Sequence, residues 1–233
     1  MKRILLLFTA LLFSFSSIWA QCTIISNASQ TTSLTGGVTT ATEFSVAWNP
    51  VNQRYYSTIS GSGAALMTYS NAGSLVSTVY PSPYKCGIWW NSNLGQLETN
   101  GYSSTGLYSI STNTAGNALG TATTIYTGYN QPATYAQGDY DYDANEVIYK
   151  VGSTIYRYNR TNGTQIGTVT LSGTTLTSLN YYFVGYTGCS GKEYVVYDYQ
   201  TYRALFFSKS TGNYVGFSQL PTTAPSQTTY SVS

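Results

Sequence analysis

Short runs of alternating apolar and polar residues recur along this chain, and each run ends at a turn rich in Gly or Asn. The clearest stretch is Asp141–Val169, DYDANEVIYKVGSTIYRYNRTNGTQIGTV, with turns at 144–145, 152–153 and 161–163. Period-two alternation places successive side chains on opposite faces of a strand, and Gly and Asn suit tight hairpin turns. The pattern therefore predicts antiparallel strands joined by hairpins.

This stretch has four degenerate copies. Their first turns contain Asn52, Gly95, Asn145 and Gly191, which are 43, 50 and 46 residues apart. A period of roughly 40–50 residues with four strands per unit is typical of a β-propeller blade. We therefore predict an all-β propeller of four-stranded antiparallel blades. A β-sandwich or a β-solenoid also needs short strands, but a sandwich has no reason to repeat its turns in phase and a solenoid usually has a shorter period.

The two chain ends bear on the number of blades. Thr229–Ser233 resembles Glu43–Ala47, the strand that opens the first copy. Thr23–Asn27 and Thr32–Thr35 resemble the last two strands of a blade, the second of them matching Val169–Ser172. Together the ends would supply a fifth blade and leave no open sheet edge. We predict about five blades, with a fragment of a larger propeller as the alternative.

The first twenty residues are typical of an export signal. Lys2 and Arg3 precede an apolar run, Ile4–Trp19, and Ala20 provides a signal-peptidase site. The run is shorter than the ~20 residues of a membrane-spanning helix. We predict that this signal is removed and that residues 21–233 form a single domain, secreted or held at the cell surface.

The charge balance disfavours several classes of partner. The chain has 10 Lys and Arg against 8 Asp and Glu, and Lys2 and Arg3 of the signal account for the excess. A mature domain without clustered positive charge is not suited to nucleic acid or to an anionic membrane surface. Ser, Thr, Asn, Gly and Tyr dominate instead, a composition common in exported bacterial repeat proteins. We expect no membrane span in the mature chain.

Three cysteines leave at least one thiol unpaired: Cys22, Cys86 and Cys189. A bridge between Cys86 and Cys189 and a set of free thiols are equal alternatives, because sequence does not place their Cα atoms. Acylation of Cys22, as in a lipoprotein, is disfavoured because Trp19 and Gln21 replace the Leu and small residue of such signals. With no CxxC pair and no histidine, a structural zinc site is also disfavoured.

The third copy resembles a known repeat family. Its runs NEVIY, GSTIYRYN and GTQI begin at Asn145, Gly152 and Gly163 and are similar to the repeat of NHL and YVTN propellers. The run AWNPVNQRYY from Ala47 resembles the same unit. The resemblance covers roughly residues 43–220 and implies that the segment before each first turn is an inner strand. Members are mostly interaction platforms and only some are enzymes, so it implies a fold and no functional residue.

Catalysis is the second interpretation. Without histidine the usual triads and the commonest general base are absent. A calcium-dependent lactonase-like hydrolase would need Glu, Asn and Asp side chains that converge from several inner strands. Glu43 begins the first copy and aspartates begin the third, but the second and fourth inner strands carry no carboxylate. Asn91 or Asn180 would have to supply a calcium ligand in place of a missing carboxylate.

The aspartates Asp139, Asp141 and Asp143 are the acidic concentration of the chain and the candidate calcium ligands. Read as an EF-hand loop, the segment fails where Ala144 replaces Gly and Lys150 replaces Glu. Alternation places the three carboxylates on one face, where they either point to water or share a cation. A solvated strand entering a turn is the simpler interpretation, and calcium is the alternative.

Aromatic side chains are the candidate ligand contacts, since the chain contains 24 tyrosines and four tryptophans. Trp89 and Trp90 face opposite sides of one strand, so at most one can stack in a given layer between blades. The simpler interpretation is that both pack between blades. Loops that follow outer strands or enter new blades also carry tyrosines, at Tyr80, Tyr84, Tyr126, Tyr129 and Tyr135.

The sequence thus predicts a secreted, non-catalytic β-propeller that acts as a binding module for a glycan or a protein. Its candidate ligand contacts are Trp89, Trp90, Tyr84 and Tyr129. No cofactor is expected apart from the calcium alternative. A calcium-dependent hydrolase and a structural repeat segment of a larger surface protein are the other interpretations.

Overall fold

The computed structural model describes residues 22–37, 43–59, 65–82, 85–128, 131–176 and 182–222. This part of the chain forms sixteen strands in four sheets of four strands each. Its helical structure is limited to the 3-10 turn Tyr102–Ser104. A composition rich in Tyr, Thr and Val and poor in strong helix formers favours this all-β outcome.

The first sheet contains β1 (Glu43–Asn49), β2 (Arg54–Ile59), β3 (Leu66–Ser70) and β4 (Leu75–Val79). The second contains β5 (Lys85–Asn91), β6 (Gln96–Gly101), β7 (Leu107–Thr112) and β8 (Ala118–Tyr126). The third contains β9 (Asp139–Asp141), β10 (Glu146–Val151), β11 (Thr154–Asn159) and β12 (Gln165–Thr170). The fourth contains β13 (Gly185–Tyr186), β14 (Tyr194–Asp198), β15 (Arg203–Phe207) and β16 (Tyr214–Gln219).

Each sheet is an antiparallel meander whose strands pair with their sequence neighbours. The first strands of successive sheets lie side by side, because β1 contacts β5, β5 contacts β9 and β9 contacts β13. The sheets are therefore blades with the first strand innermost. A four-bladed β-propeller confirms the predicted fold class and excludes the sandwich and the solenoid.

The first turn of a blade is held by the last residue of its inner strand. The side-chain oxygens of Asn49, Asn91 and Asp141 each accept a backbone N–H two or three residues ahead, at 2.9, 3.1 and 3.0 Å. Asn and Asp favour this turn because their short side chains reach their own backbone. This capping accounts for the recurring first turn in three of the four blades, while the inner strand of the fourth ends at Tyr186.

Apolar side chains of facing blades form three core layers. Representative members are Ala47 with Ile88, Trp89 with Tyr149, and Ile148 with Val196. Polar side chains join the inner strands in the same layers. The Ser45 hydroxyl accepts the backbone N–H of Ile88 at 3.1 Å, and the Asp139 carboxylate accepts that of Tyr186 at 2.6 Å. The inner strands are thereby linked where no sheet pairing joins them.

Residues 22–37, which we call the N-terminal strap, link the fourth blade to the first. Asn27 forms a parallel bridge with Gln219 at the end of β16, and Thr35 forms one with Ser74 before β4. The strap contributes single bridges rather than paired strands of a fifth blade, so the described residues form four blades and not the predicted five. The other predicted half of that blade, Thr229–Ser233, lies outside the described residues.

The strap nevertheless copies the connection between the third and fourth blades. The Thr35 N–H donates to the carbonyl of Gly73 at 2.8 Å, and the Ser172 N–H donates to that of Gly212 at 3.0 Å. This is the match that the sequence predicts between Thr32–Thr35 and Val169–Ser172. The end of the strap therefore enters the first blade as a connection from a preceding blade would.

The disulfide joins Cys22 to Cys189, with the Cα atoms 5.5 Å apart. Cys189 lies in the connection between β13 and β14, so the bridge fixes the start of the strap to the fourth blade. Cys86 is a buried free thiol, and its Sγ lies 3.7 Å from the carbonyl of Thr134. Of the two alternatives that the sequence leaves open, a Cys86–Cys189 bridge is wrong because Cys189 pairs with Cys22, and free thiols hold for Cys86 alone.

Candidate binding surface and acidic cluster

Both tryptophans of the Trp89–Trp90 pair pack between blades. Trp89 is 2% exposed and lies in the layer between the second and third blades, where its indole N–H donates to Glu98 at 3.2 Å. Trp90 is half-buried and packs against the layer between the first and second blades. Trp89 therefore offers no surface for a ligand, and the simpler of the two sequence interpretations fits the structure.

Glu98 is the polar centre of the layer around Trp89. Its carboxylate is fully buried and also accepts the side-chain N–H groups of Asn91 at 2.8 Å and Gln96 at 2.7 Å. Arg160 of the third blade completes the set, with its Nε 3.1 Å from Oε1 and its Nη2 in contact with the same oxygen. This buried ion pair joins two blades.

The aspartates between the third and fourth blades are held by protein donors. Asp141 is fully buried and forms an ion pair with the Lys209 ammonium of the fourth blade. Asp143 accepts the hydroxyl of Tyr186 at 2.6 Å. Asp139 accepts the backbone N–H groups of Tyr140 at 2.8 Å and Tyr186 at 2.6 Å. The cation beside Asp141 is thus a lysine ammonium.

Burial raises the pKa of Asp139 to about 6, although its two backbone hydrogen bonds act in the opposite direction. Among the described residues no group of three or more His, Cys, Asp or Glu side chains is arranged to hold a metal ion. Asp139, Asp141 and Asp143 are accounted for by contacts between blades. Calcium binding at these residues stays a prediction.

Asp141→Asn should destabilise the fold by about 2 kcal/mol whether or not calcium is present. The amide keeps the turn cap but leaves the partly buried Lys209 ammonium without its counter-charge. Thermal unfolding of the parent chain and the variant, with added calcium and with a chelator, measures the loss of stability and any effect of calcium on it. Asp143→Asn is the matched control, since Asp143 is exposed and its change should cost at most about 0.5 kcal/mol. A calcium-dependent rise in Tm of the parent chain that Asp141→Asn abolishes would establish the metal site instead.

Three tyrosines from separate connections meet at one end of the blades and form what we call the tyrosine patch: Tyr102, Tyr135 and Tyr182. The Tyr102 and Tyr135 rings pack edge to face with centroids 5.2 Å apart, and their hydroxyls are 3.3 Å apart. The Tyr135 and Tyr182 rings are 6.1 Å apart and tilted by 43°. Tyr135 is 43% exposed, so the patch presents aromatic surface to solvent.

The connections that carry the patch are braced by hydrogen bonds. The backbone N–H of Ser103 donates to the carbonyl of Thr134 at 3.2 Å, beside Tyr102 and Tyr135. Buried Asn100 holds the same connection, because its amide donates to the Gln131 side chain at 3.1 Å and to the carbonyl of Ala136 at 2.9 Å. The ring positions are therefore set by the blades.

The patch is uncharged at neutral pH. The hydrogen bond with Tyr135 raises the pKa of Tyr102 above its ordinary value. The ion pairs among the described residues are Glu146–Arg157, Glu98–Arg160 and Asp141–Lys209, and none of them includes a patch residue. Such a surface recognises a partner by stacking and hydroxyl contacts rather than by charge.

The structure separates the tyrosines that the sequence predicts as loop contacts. Tyr135 belongs to the patch and Tyr80 is 65% exposed after β4, whereas Tyr126 is half-buried at the end of β8. Tyr84 and Tyr129 lie outside the described residues. Sequence reasoning missed Tyr102 and Tyr182. The strand order could have indicated them. In a meander the connections after the second strand and after the fourth strand lie at the same end of the sheet, and the patch tyrosines lie in such connections.

Every carboxylate whose side chain the structure describes accepts a hydrogen bond from the protein. The seven with described side chains are Glu98, Asp139, Asp141, Asp143, Glu146, Glu193 and Asp198. They serve turns, strand pairs and blade contacts. The inward-converging set that a lactonase-like site requires is not formed by these seven side chains. The side chain of Glu43 and the whole of Asn180 lie outside the described parts.

No helix among the described residues has the length and hydropathy needed to cross a membrane.

Fold and surface together define a four-bladed β-propeller that carries an uncharged tyrosine patch. No protein-family model and no curated protein matches the chain. Among solved structures it is similar to a glutaminyl cyclase of Myxococcus xanthus, with a TM-score of 0.54 and 14% identity over 77% of this chain and 71% of that one. It also aligns with a nidogen/laminin complex at a TM-score of 0.45 and 10% identity, covering 81% and 83% of the two chains. The similarity to the glutaminyl cyclase bears on the fold alone, and membership of the NHL and YVTN class stays a prediction.

Proposed function

We propose that this chain is an exported, non-catalytic binding module that engages a neutral glycan through the tyrosine patch. The observation that carries the proposal is the grouping of Tyr102, Tyr135 and Tyr182, with 43% of Tyr135 exposed. Burying tyrosine surface is favourable, so the exposed part of the Tyr135 ring can gain contacts with a partner. Export rests on the predicted signal in residues 1–20, which lie outside the described residues.

The chemistry of the patch favours sugar over a charged ligand. Tyrosine rings pack against the apolar C–H face of a pyranose, while their hydroxyls donate to and accept from its hydroxyl groups. The mature chain balances its charges, so long-range steering contributes little to association. A protein partner that docks by shape is the alternative.

The hydrogen bonds that the carboxylates accept favour a binding function over catalysis. The seven described carboxylates are engaged in structural hydrogen bonds, and histidine is absent from the whole sequence. A general acid or base must reach its substrate with a suitable pKa. Asp139 has a raised pKa, but it is tied to two backbone N–H groups in the contact between blades. The similarity to a glutaminyl cyclase bears on the fold alone.

Tyr135→Ala should weaken binding to immobilised neutral glycans at least about tenfold, because it removes the most exposed ring of the patch. Dose–response titration of the mature chain against those glycans provides the measurement. Tyr80→Ala is the matched control, since Tyr80 is 65% exposed and follows β4 of the first blade, whereas the patch residues come from connections of the second and third blades. Equal losses in the two variants, or no loss in either, would place the binding surface elsewhere.

A further inference from the structure

The N-terminal strap closes the space between the fourth and first blades with few contacts. Its Ser26 carbonyl and Ala28 N–H bond to the backbone of Gln219 at 2.9 and 2.7 Å. At the other end, Thr35 exchanges two backbone hydrogen bonds with the first blade, at 2.8 and 3.1 Å. Among the described residues, the strap thus pairs with the blades through two short parallel bridges about eight residues apart.

Apolar contacts of the strap are equally sparse. Leu34 packs against the cluster of Met67 and Tyr69 in the first blade, and the Ile24 side chain lies beside Gly216 in the fourth, in space that a Cβ there would enter. Ile25 is 59% exposed. Ordering one residue costs about 1–2 kcal/mol, while a hydrogen bond returns about 1 kcal/mol net. Most strap residues are exposed, so among the described residues two short bridges and a few apolar contacts give limited support to an ordered segment.

The disulfide supplies the covalent support. Cys22 begins the strap, and Cys189 sits in a connection fixed by its own N–H, which donates to the Thr187 hydroxyl at 3.0 Å. The Lys192 ammonium also contacts the carbonyl of Cys22. The strap is thus tethered at its start by the bridge and continues at its end towards β1.

We infer that the Cys22–Cys189 disulfide is a redox-controlled clasp that holds the strap across the gap between the fourth and first blades. A dithiol reductant opens it by thiolate attack on one sulfur, which breaks the S–S bond and forms a mixed disulfide. The second thiol of the reductant then displaces that sulfur. Two protein thiols and one oxidised dithiol result. The freed strap uncovers the apolar faces beneath Leu34 and Ile24.

Cys86 does not compete in this exchange. Burial raises the pKa of its thiol to about 12, so the reactive thiolate is scarce at neutral pH. Its place in the second blade also keeps it away from the strap. Opening and closing therefore involve one pair of cysteines, and reoxidation restores the same bridge.

Hydrogen exchange of the mature chain, residues 21–233, tests the clasp. After reduction with a dithiol under native conditions, the amides of Ala28, Thr35, Leu75 and Gln219 should exchange at least about tenfold faster. Amides of β6 and β7 should keep their rates, because their blade does not pair with the strap. The Cys86→Ser variant should respond as the parent chain does.

Unchanged exchange of those four amides after complete reduction would overturn the inference, since the strap would then hold without the bridge. An equal rise in every blade would overturn it too, because the disulfide would then support the whole fold. Cys22→Ser with Cys189→Ser provides the second measurement. It should reproduce the local pattern of the reduced chain without added reductant and should not respond further to the dithiol.

Discussion

Glu98→Ala should lower the free energy of unfolding by about 4 kcal/mol, measured by urea denaturation. The substitution removes the acceptor shared by Trp89, Asn91, Gln96 and Arg160. Arg160 has a side chain only 12% exposed, so its charge would remain in the layer between blades without a partner. Breaking a buried ion pair from one side costs about 3–5 kcal/mol because the remaining charge is neither solvated nor paired.

Two variants separate charge from packing at Glu98. Glu98→Gln keeps the volume and one acceptor oxygen, so we expect about half of the loss. Glu98→Ala combined with Arg160→Met removes both charges and should recover part of the stability. If Glu98→Ala costs less than about 1 kcal/mol, the ion pair does not hold the second and third blades together. A change confined to the urea slope would instead indicate an altered unfolded state.

Lys85→Met should raise the free energy of unfolding by about 3 kcal/mol at pH 7. Lys85 is 3% exposed, and its ammonium lies 3.5 Å from the centre of the Tyr108 ring. Within the described residues its Nζ has no hydrogen-bond partner. Burial lowers the pKa of Lys85 to about 7. Each unit of such a shift corresponds to about 1.4 kcal/mol, and methionine fills a similar volume without a charge.

The pH dependence has a definite direction. Between about pH 7 and pH 10 the unfolded chain binds a proton on Lys85 that the folded chain has lost, so stability rises with pH in this window. Lys85→Met removes the contribution of Lys85 to the slope of unfolding free energy against pH. Lys150 still makes a similar contribution, since it is fully buried and burial also lowers its pKa to about 7.

Urea denaturation at pH 7, 8 and 9 compares the slopes. Lys85→Arg is the control, because arginine stays charged and should not stabilise the fold. A parent chain whose stability is flat across this range, or a Lys85→Met variant that is less stable than the parent at pH 7, would contradict the lowered pKa of Lys85.

The sequence was informative where local chemistry decides structure. The first-turn repeat is visible because Asn49, Asn91 and Asp141 cap their own turns, and such caps need a particular residue at a fixed spacing. The resemblance of Thr32–Thr35 to Val169–Ser172 extends to a shared backbone contact, because Thr35 and Ser172 each donate to a glycine carbonyl before the last strand of a blade, but the predicted fifth blade is not formed by the described residues. Alternation also established the antiparallel meanders.

The sequence was uninformative where residues far apart in the chain meet. Lys209 lies 68 positions from Asp141, so the role of the aspartate required the packing of two blades. Cys22 and Cys189 are separated by 167 positions, and no sequence pattern near either cysteine predicts that they pair. The tyrosine patch could not be predicted from local sequence either, because Tyr102, Tyr135 and Tyr182 come from three different connections and meet only in the folded chain. Exposure of a tyrosine depends on the blades beside it.

The most direct test of the binding proposal is an array of neutral and anionic glycans probed with the mature chain, residues 21–233, in calcium and in chelator. We predict binding to neutral glycans that persists in the chelator, because the patch is uncharged and contains no metal ligand. A folded chain that binds no glycan would contradict the proposal and favour a protein partner. Binding to anionic glycans alone, or only with calcium, would also contradict it and would direct attention to Asp139, Asp141 and Asp143.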